Sequence, residues 1–159
     1  MENLRKYRIA VVQMDSRNDK GANVKYACQC IDEAAANGAK LISFPELYRI
    51  MTLEGAQVIF TPASFTMATG KEHWECILRT RAIENACYIV AADQIGQKHE
   101  FLACGHSMVI DPWGTIIAKA RDEAGMFYAD IDLDYEDKIR QKVPVLKNRR
   151  ADIYEVKRR

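Results

Sequence analysis

The chain has 159 residues, a formal net charge of +1 and 48% hydrophobic residues, which predicts one globular domain with a sizeable core. No apolar run approaches the roughly 18 residues that cross a bilayer, and the first residues lack the apolar centre of a signal peptide. These features argue against a membrane partner and lead us to expect a cytoplasmic protein.

The opening of the chain predicts a strand, a helix and a second strand. Residues 7–14 contain Ile9, Val11 and Val12 between small or polar residues, as expected of a core strand. A helical face follows, made of Val24, Ala27, Cys28, Ile31, Ala34 and Ala35. Residues 41–44 predict the second strand, which a parallel crossover joins to the first.

Glu46 stands at the junction that follows. Pro45 cannot donate to a sheet ladder and holds Phe44 in an extended conformation, so Glu46 should lie just beyond the carboxyl end of a central strand. In open α/β sheets that edge is where ligands bind, which makes Glu46 a candidate functional residue. The alternative is that Glu46 only begins the next helix, because the first turn of a helix favours an acid.

The middle of the chain continues the alternation of strands and helices. A short apolar helix precedes a strand at residues 58–60, which Pro62 cuts. Thr69 and Glu72 form a capping box that opens a longer helix. One stripe of that helix carries Trp74, Ile77, Leu78, Ala82 and Asn85. A buried strand at residues 87–92 follows, and the alternation predicts an α/β protein.

Antiparallel elements are predicted after that. Residues 108–110 and 115–118 flank Asp111-Pro112-Trp113-Gly114, where proline second and glycine fourth favour a type I turn and therefore a hairpin. One more strand at residues 126–131 and a helix at residues 134–142 follow. No internal repeat or linker divides the sequence.

Clusters that could hold a metal or a cofactor fail their tests. Asp130, Asp132 and Asp134 lie on one face of an extended segment, which we interpret as a solvent-facing strand edge. Tyr135 and Gln141 occupy the positions where an EF-hand needs glycine and a bidentate acid. No dinucleotide or Walker pattern occurs, so we expect neither a metal nor a cofactor.

The five cysteines, an odd number, favour reduced thiols over disulfides. Cys28 and Cys30 point to different sides of a helix, so they do not predict a metal site. Cys104-Gly105-His106 places a thiol near an imidazole, but residues two apart on a strand share a side without facing each other. We expect a packing role for this segment.

Residues 138–159 are basic, with nine Lys or Arg against two acids. Such a tail can contact nucleic acid or an acidic partner, and it also fits a solvated terminal helix and coil. No aromatic stacking platform beyond Tyr154 occurs there, so we favour the solvated tail over a nucleic-acid partner.

A series of motifs runs through nearly the whole chain. The beginning contributes Arg8-Ile-Ala-Val-Val-Gln-Met14 and Gly38-Ala-Lys-Leu-Ile-Ser-Phe-Pro-Glu46. The later part contributes Gly55-Ala-Gln-Val-Ile-Phe-Thr-Pro-Ala63, His73-Trp74-Glu75, Arg79-Thr-Arg-Ala-Ile-Glu-Asn-Ala-Cys87, Gly105-His-Ser-Met108, Asp111-Pro-Trp-Gly114 and Asp130-Ile-Asp-Leu133. In this order the motifs resemble the nitrilase superfamily of carbon-nitrogen hydrolases.

The resemblance implies a single domain over residues 1–159, a stacked α-β-β-α sandwich that forms dimers or larger oligomers. It also implies a glutamate base, a lysine and a cysteine nucleophile that act on small amides or nitriles through a thioester. A thiolate attacks the carbonyl carbon, a carboxylate moves protons, and an ammonium stabilises the oxyanion. Of this catalytic set only the glutamate carries over, to Glu46.

The lysine segment and the Cys-Tyr-Asp-x-Arg-Phe-Pro-Glu setting of the nucleophile are absent from this sequence. Members of the superfamily are longer, and the absent part lies between their first Phe-Pro-Glu motif and their second. Residues 41–44 resemble the approach to the first motif, while Leu47-Tyr-Arg-Ile-Met-Thr-Leu-Glu-Gly55 resembles the exit from the second. We therefore expect an incomplete sandwich without its central portion, fused near residues 44–47 by an internal deletion.

These features lead to three functional expectations. By resemblance the chain is a carbon-nitrogen hydrolase, but with Glu46 alone of the catalytic set we expect little or no activity. The first alternative is a non-catalytic remnant or a homo-oligomerising module, because lost strands expose sheet edges and apolar faces. The second alternative is weak nucleic-acid binding by the basic tail.

Overall fold

Eight strands and four helices organise the part of the chain that the computed structural model describes, residues 6–13, 22, 25–26, 29–30, 33, 36 and 48–153. In chain order they are β1 (Lys6–Gln13), α1 (Tyr48–Leu53), β2 (Val58–Ala63), α2 (Met67–Thr69), α3 (Glu75–Asn85), β3 (Tyr88–Asp93), β4 (Ile95–Gln97), β5 (Leu102–Cys104), β6 (Met108–Ile110), β7 (Ile116–Lys119), β8 (Gly125–Asp132) and α4 (Leu133–Lys142). A π-helical segment, Gly70–Trp74, joins α2 to α3. The described residues between 22 and 36 are helical.

The strands pair in three sheets. The larger sheet has the order β2-β3-β6-β7, in which β2 and β3 are parallel and the other pairs are antiparallel. A second sheet pairs β1 with β8 in antiparallel register, from Lys6 opposite Asp132 to Gln13 opposite Gly125. A small antiparallel hairpin joins β4 to β5.

The alternation of side chains along each strand divides the apolar residues between two cores. One core lies between the two sheets and contains Ile9, Phe60, Val90, Val109, Ala129 and Ile131. The other lies between the larger sheet and α3 and contains Ile59, Ile89, Met108, Trp74, Leu78 and Ala82. The helix α3, the larger sheet and the sheet of β1 and β8 are thus three stacked layers, which confirms the predicted α/β sandwich.

The predicted hairpin around Asp111 is confirmed in detail. The Gly114 amide donates to the Asp111 carbonyl at 2.9 Å, which closes the turn. The Asp111 Oδ1 atom accepts from the amides of Trp113 and Thr115, each at 2.9 Å. Gly114 has φ +88°, a conformation that glycine adopts without strain.

Three details of the sequence analysis were wrong. Pro62 does not end β2, where it pairs with Ala92, because an edge strand tolerates proline. Thr69 makes no capping hydrogen bond; the N-cap is Thr66, whose side chain accepts from the Thr69 amide. Ile77 is 41% exposed, whereas the other four residues of the predicted stripe are buried.

Asp130 and Asp132, two of the three predicted strand-edge aspartates, have separate structural roles, and Asp130 pairs with Arg8 at 3.4 Å. Asp132 caps α4, and its side chain accepts from the amides of Asp134 and Tyr135. It also forms an ion pair with Lys6 at 3.0 Å, which ties β1 to β8. Within the described ranges no group of three His, Cys, Asp or Glu residues is arranged to hold a metal, and none of the helices is long and apolar enough to cross a membrane.

A buried ion pair fastens α4 to the rest of the fold. The Glu136 carboxylate is fully buried and lies 2.5 Å from the Arg140 guanidinium. The same guanidinium donates to the carbonyls of Ala86, at 2.9 Å, and Ala56, at 3.3 Å. Arg140 therefore joins α4 to the end of α3 and to the segment before β2.

Candidate functional site

Glu46, the candidate catalytic base, lies outside the described residues, as does the predicted strand at residues 41–44. The nearest described residue along the sequence is Tyr48, the first residue of α1. Its hydroxyl shares a hydrogen bond of 2.9 Å with the Thr61 hydroxyl in β2. The chain two residues after Glu46 is thus held beside the carboxyl half of β2, and the catalytic role of Glu46 stays a prediction.

The carboxyl ends of β2 and β3 lie side by side, where Ala63 pairs with Asp93. The Gln94 amide donates to the Ala63 carbonyl at 3.1 Å, and the Cys104 amide donates to the Phe65 carbonyl at 2.8 Å. The ends of both strands are therefore hydrogen-bonded to residues beside or within the β4–β5 hairpin. In α/β sheets the carboxyl edge of parallel strands is the usual place for a ligand, so the described candidate site is this edge.

Asp93 is the polar residue at the centre of this edge, and it is only 2% exposed. Its Oδ1 atom accepts from the Phe65 amide at 2.8 Å. Its main chain is tied to Ser107, whose hydroxyl accepts from the Asp93 amide at 2.9 Å and donates to the Asp93 carbonyl at 3.1 Å. Asp93 therefore connects the segment after β2 to the segment before β6.

The segment between β5 and β6 has an unusual backbone. Gly105 has φ +69° and His106 has φ +56°, and two consecutive left-handed residues make a sharp change of direction. The Trp74 indole donates to the His106 carbonyl at 3.1 Å. The His106 Nε2 atom lies 2.9 Å from Asp122 Oδ1. Both the main chain and the imidazole of His106 are therefore held by hydrogen bonds.

The environment of Asp93 raises its pKa to about 6. Burial is the main cause, because a charged carboxylate loses its hydration there. The amides of Phe65, Gln94 and Gly105, together with His106, favour the charged form and limit the rise. A carboxyl with this pKa can both accept and donate a proton near neutral pH, which is the property that acid-base sites require.

Two of the described thiols, those of Cys87 and Cys104, lack the surroundings of a nucleophile. Burial raises the pKa of the Cys87 thiol to about 12, and it also raises the pKa of Cys104. Cys104 is buried against the helix, where a β-carbon added to Gly70 would lie 2.4 Å from its sulfur. A thiol rather than a thiolate is a poor nucleophile, so the packing role predicted for Cys104 agrees with its position.

Sequence reasoning missed Asp93 as a functional candidate. Its position follows the same pattern that drew attention to Glu46, an acid directly after an apolar strand. The short β4–β5 hairpin was not predicted either, since three-residue strands carry almost no periodic signal.

The chain matches the profile of one protein family. The profile is described as carbon-nitrogen hydrolase and matches residues 8–48 and residues 43–141. Residues 43–48 therefore fall within both matches.

Two curated relatives share the matched part of the sequence. Deaminated glutathione amidase of Bos taurus is 47% identical over 112 residues, which cover 70% of this chain and 34% of that protein. Omega-amidase NIT2 of Danio rerio is 43% identical over 116 residues, which cover 72% of this chain and 42% of that protein. The matches thus span about a third to two fifths of the length of these relatives.

A solved structure has the same fold. Nit3 of Saccharomyces cerevisiae, a member of branch 10 of the nitrilase superfamily, superposes with a TM-score of 0.80 over 92% of this chain and 97% of its own. At 20% sequence identity this likeness shows the fold alone. Because the family profile matches most of the sequence, the motif resemblance is confirmed and the chain belongs to the carbon-nitrogen hydrolase family.

Proposed function

We propose that this chain keeps the scaffold of the carbon-nitrogen hydrolase family but has little or no amidase activity. The observation that carries the proposal is the state of two buried thiols. Cys87 and Cys104 are buried and their pKa values are raised, whereas amide cleavage by this family's chemistry needs an activated thiolate. Loss of such a nucleophile costs several powers of ten in rate.

The family match supports a junction between two separated parts of the family sequence. The two matches overlap at residues 43–48, which contain Phe44-Pro45-Glu46. An overlap of this kind is expected where the end of one segment and the start of a later one share a similar motif. The proposed internal deletion near residues 44–47 would remove the lysine and cysteine segments and would leave Glu46 as the remaining member of the set.

An ammonia-release assay tests the proposal. Short aliphatic amides and omega-amides should give no ammonia above the background without enzyme, because the sequence lacks the segment that carries the family's nucleophilic cysteine. Intact mass after incubation should show no acyl adduct on any cysteine. The variant Glu46→Gln should behave as the wild type does.

The control variant for this assay is Glu54→Gln, an exposed glutamate eight residues further along. Turnover that Glu46→Gln abolishes and Glu54→Gln preserves would overturn the proposal. A stoichiometric acyl adduct on a cysteine would overturn it as well.

A second candidate function is that of an oligomerising module, and exposed apolar side chains favour it. Ile83 and Trp113 are 50% and 47% exposed. The Ile83 side chain packs against Gly114, where an added β-carbon would lie 2.6 Å from it, so Ile83 and the turn that carries Trp113 form one surface. Contiguous exposed apolar surface of this kind is typical of association sites.

Light scattering tests this second candidate. The wild type should have the mass of a dimer or a larger oligomer, and Ile83→Lys should shift it to the monomer because a charge placed in an apolar contact costs association free energy. The control is Ile153→Lys. Ile153 is also exposed, but it lies far from Ile83 and Trp113 along the sequence. A wild type that stays monomeric at high concentration would contradict the oligomer.

A further inference from the structure

Trp113 is an exposed aromatic residue on a fixed turn between β6 and β7. It is 47% exposed, although its neighbours Pro112 and Gly114 are buried. Its amide donates to Asp111 Oδ1 at 2.9 Å, and the Arg79 guanidinium donates to the Gly114 carbonyl at 2.9 Å. The backbone of the turn is therefore held on both sides of Trp113, while nearly half of this residue stays accessible.

Lys142, the last residue of α4, brings a cation to this ring. Its Nζ atom lies 4.9 Å from the centroid of the Trp113 ring, which is the distance of a cation–π contact. The helix α4 is fastened to the fold by Arg140, through its ion pair with Glu136 and its hydrogen bond to the Ala86 carbonyl. The tertiary structure thus joins a cation and an aromatic ring that are distant in the sequence.

Further cations follow Lys142 along the chain. Residues 138–153 contain six Lys or Arg against a single acid, and two of the six are neutralised by ion pairs. Three of the others, Lys142, Lys147 and Arg149, form no ion pair with an acid of the described ranges. A backbone hydrogen bond of 3.0 Å closes a turn of the chain around Lys147, which keeps these cations close to the end of α4.

The fold supplies what the basic segment lacks in the sequence. From residue 138 onwards the sequence offers no aromatic platform beyond Tyr154, and a solvated tail was favoured for that reason. The structure places Trp113 beside this segment. Proteins that bind single-stranded nucleic acid combine such a ring, on which a base stacks, with Lys and Arg side chains that contact the phosphates.

We propose that Trp113, Lys142, Lys147 and Arg149, called the cationic surface below, bind single-stranded nucleic acid. A base stacks on the exposed part of the Trp113 ring, and the three cations contact the phosphates of the neighbouring nucleotides. Phosphate contacts and stacking carry little sequence information, so the surface binds different sequences alike. The proposal is independent of amidase activity and of association through Ile83.

Binding is measured by the fluorescence anisotropy of a labelled oligothymidylate of about 12 nucleotides. We expect a Kd between about 10⁻⁴ and 10⁻⁶ M at physiological salt. Three phosphate contacts on a single strand predict that the affinity falls about twentyfold between about 50 and 200 mM salt. Tryptophan fluorescence should be quenched on binding through Trp113, because Trp74, the other tryptophan of the chain, is only 2% exposed.

Three variants separate stacking from charge. Trp113→Ala should weaken binding about tenfold with an unchanged salt dependence, whereas Trp113→Phe keeps a ring and should keep most of the affinity. Lys142→Gln should weaken binding and reduce the slope of log affinity against log salt by about 0.7. The matched control is Lys71→Gln, which changes an exposed lysine of the π-helical segment and should leave affinity and slope unchanged.

Ile83→Lys distinguishes this surface from an association site. The substitution places a cation beside the turn that carries Trp113, so it should tighten oligothymidylate binding even where it removes the oligomer. Binding that disappears together with the oligomer would contradict the proposal.

Polyglutamate, a polyanion without bases, is the comparison ligand. At equal ionic strength it should bind more weakly than oligothymidylate by about tenfold, because it gains nothing from stacking. Equal binding of the two would assign the cationic surface to an acidic protein and overturn the proposal. So would a Trp113→Ala variant with the affinity of the wild type, or a wild type that does not bind oligothymidylate at a concentration of about 10⁻³ M.

Discussion

Arg140→Met should lower the free energy of unfolding by about 3–5 kcal/mol. The Glu136 carboxylate is fully buried and lies 2.5 Å from the Arg140 guanidinium, so the variant removes the cation that compensates a buried charge. It also removes two hydrogen bonds, to the carbonyls of Ala86 and Ala56. Urea unfolding followed by circular dichroism measures the loss as a lower midpoint at an unchanged slope.

Two comparisons isolate the ion pair as the cause. Arg150→Met removes an exposed ion pair with Asp152, in which both side chains are 63% exposed, and it should leave the midpoint unchanged because surface pairs contribute little. The double variant Glu136→Leu with Arg140→Met removes both charges and should recover more than half of the loss. A double variant as unstable as Arg140→Met would show that packing, and not the unpaired charge, explains the effect.

The order of strands and helices could be predicted because burial imposes a period on the sequence. The strand β1 and the hairpin around Asp111 were predicted close to their observed bounds. In the strand of residues 58–63 alternate side chains enter different cores, Ile59 towards the helix and Phe60 between the sheets. Two apolar faces on one strand give the uninterrupted apolar run from which the strand was predicted.

Local hydrogen bonding was harder to predict than burial. The sequence analysis placed the cap at Thr69, because Glu72 stands three residues after it. The observed cap is Thr66, because the helix begins at Met67 and passes through a π-helical segment before α3. Gly70, the first residue of the π-helical segment, lies against Cys104 across the fold, a contact that no local pattern contains.

In the candidate site, the positions of the acids could be predicted from the sequence, but their chemical environment could not. Position relative to a strand end identified Glu46, and the same reasoning applied to residues 87–93 would have identified Asp93. The raised pKa of Asp93 could not be predicted, because its main cause is the burial of the carboxyl in the folded chain. Burial is a property of the tertiary structure, and a buried carboxyl keeps its proton to a higher pH than an exposed one.

Gly70→Ala should be the most disruptive single methyl addition among the described glycines with ordinary backbone angles. Gly70 has φ −62° and ψ −42°, so helix propensity alone would favour alanine by about 1 kcal/mol. The new β-carbon would lie 2.4 Å from both the Cβ and the Sγ of Cys104. Cβ is attached to the backbone and cannot rotate away, so we expect overpacking to dominate, with a net loss of about 1–3 kcal/mol in unfolding free energy.

Urea midpoints of three variants test this expectation. Gly125→Ala is the matched control, because a β-carbon there meets no atom within 4 Å, and its midpoint should stay within error of the wild type. Cys104→Gly combined with Gly70→Ala removes both atoms that clash, so the pair should be more stable than the two single losses added together. A Gly70→Ala midpoint equal to that of Gly125→Ala would mean that the π-helical segment and the chain around Cys104 can separate at little cost, which would contradict the expected overpacking.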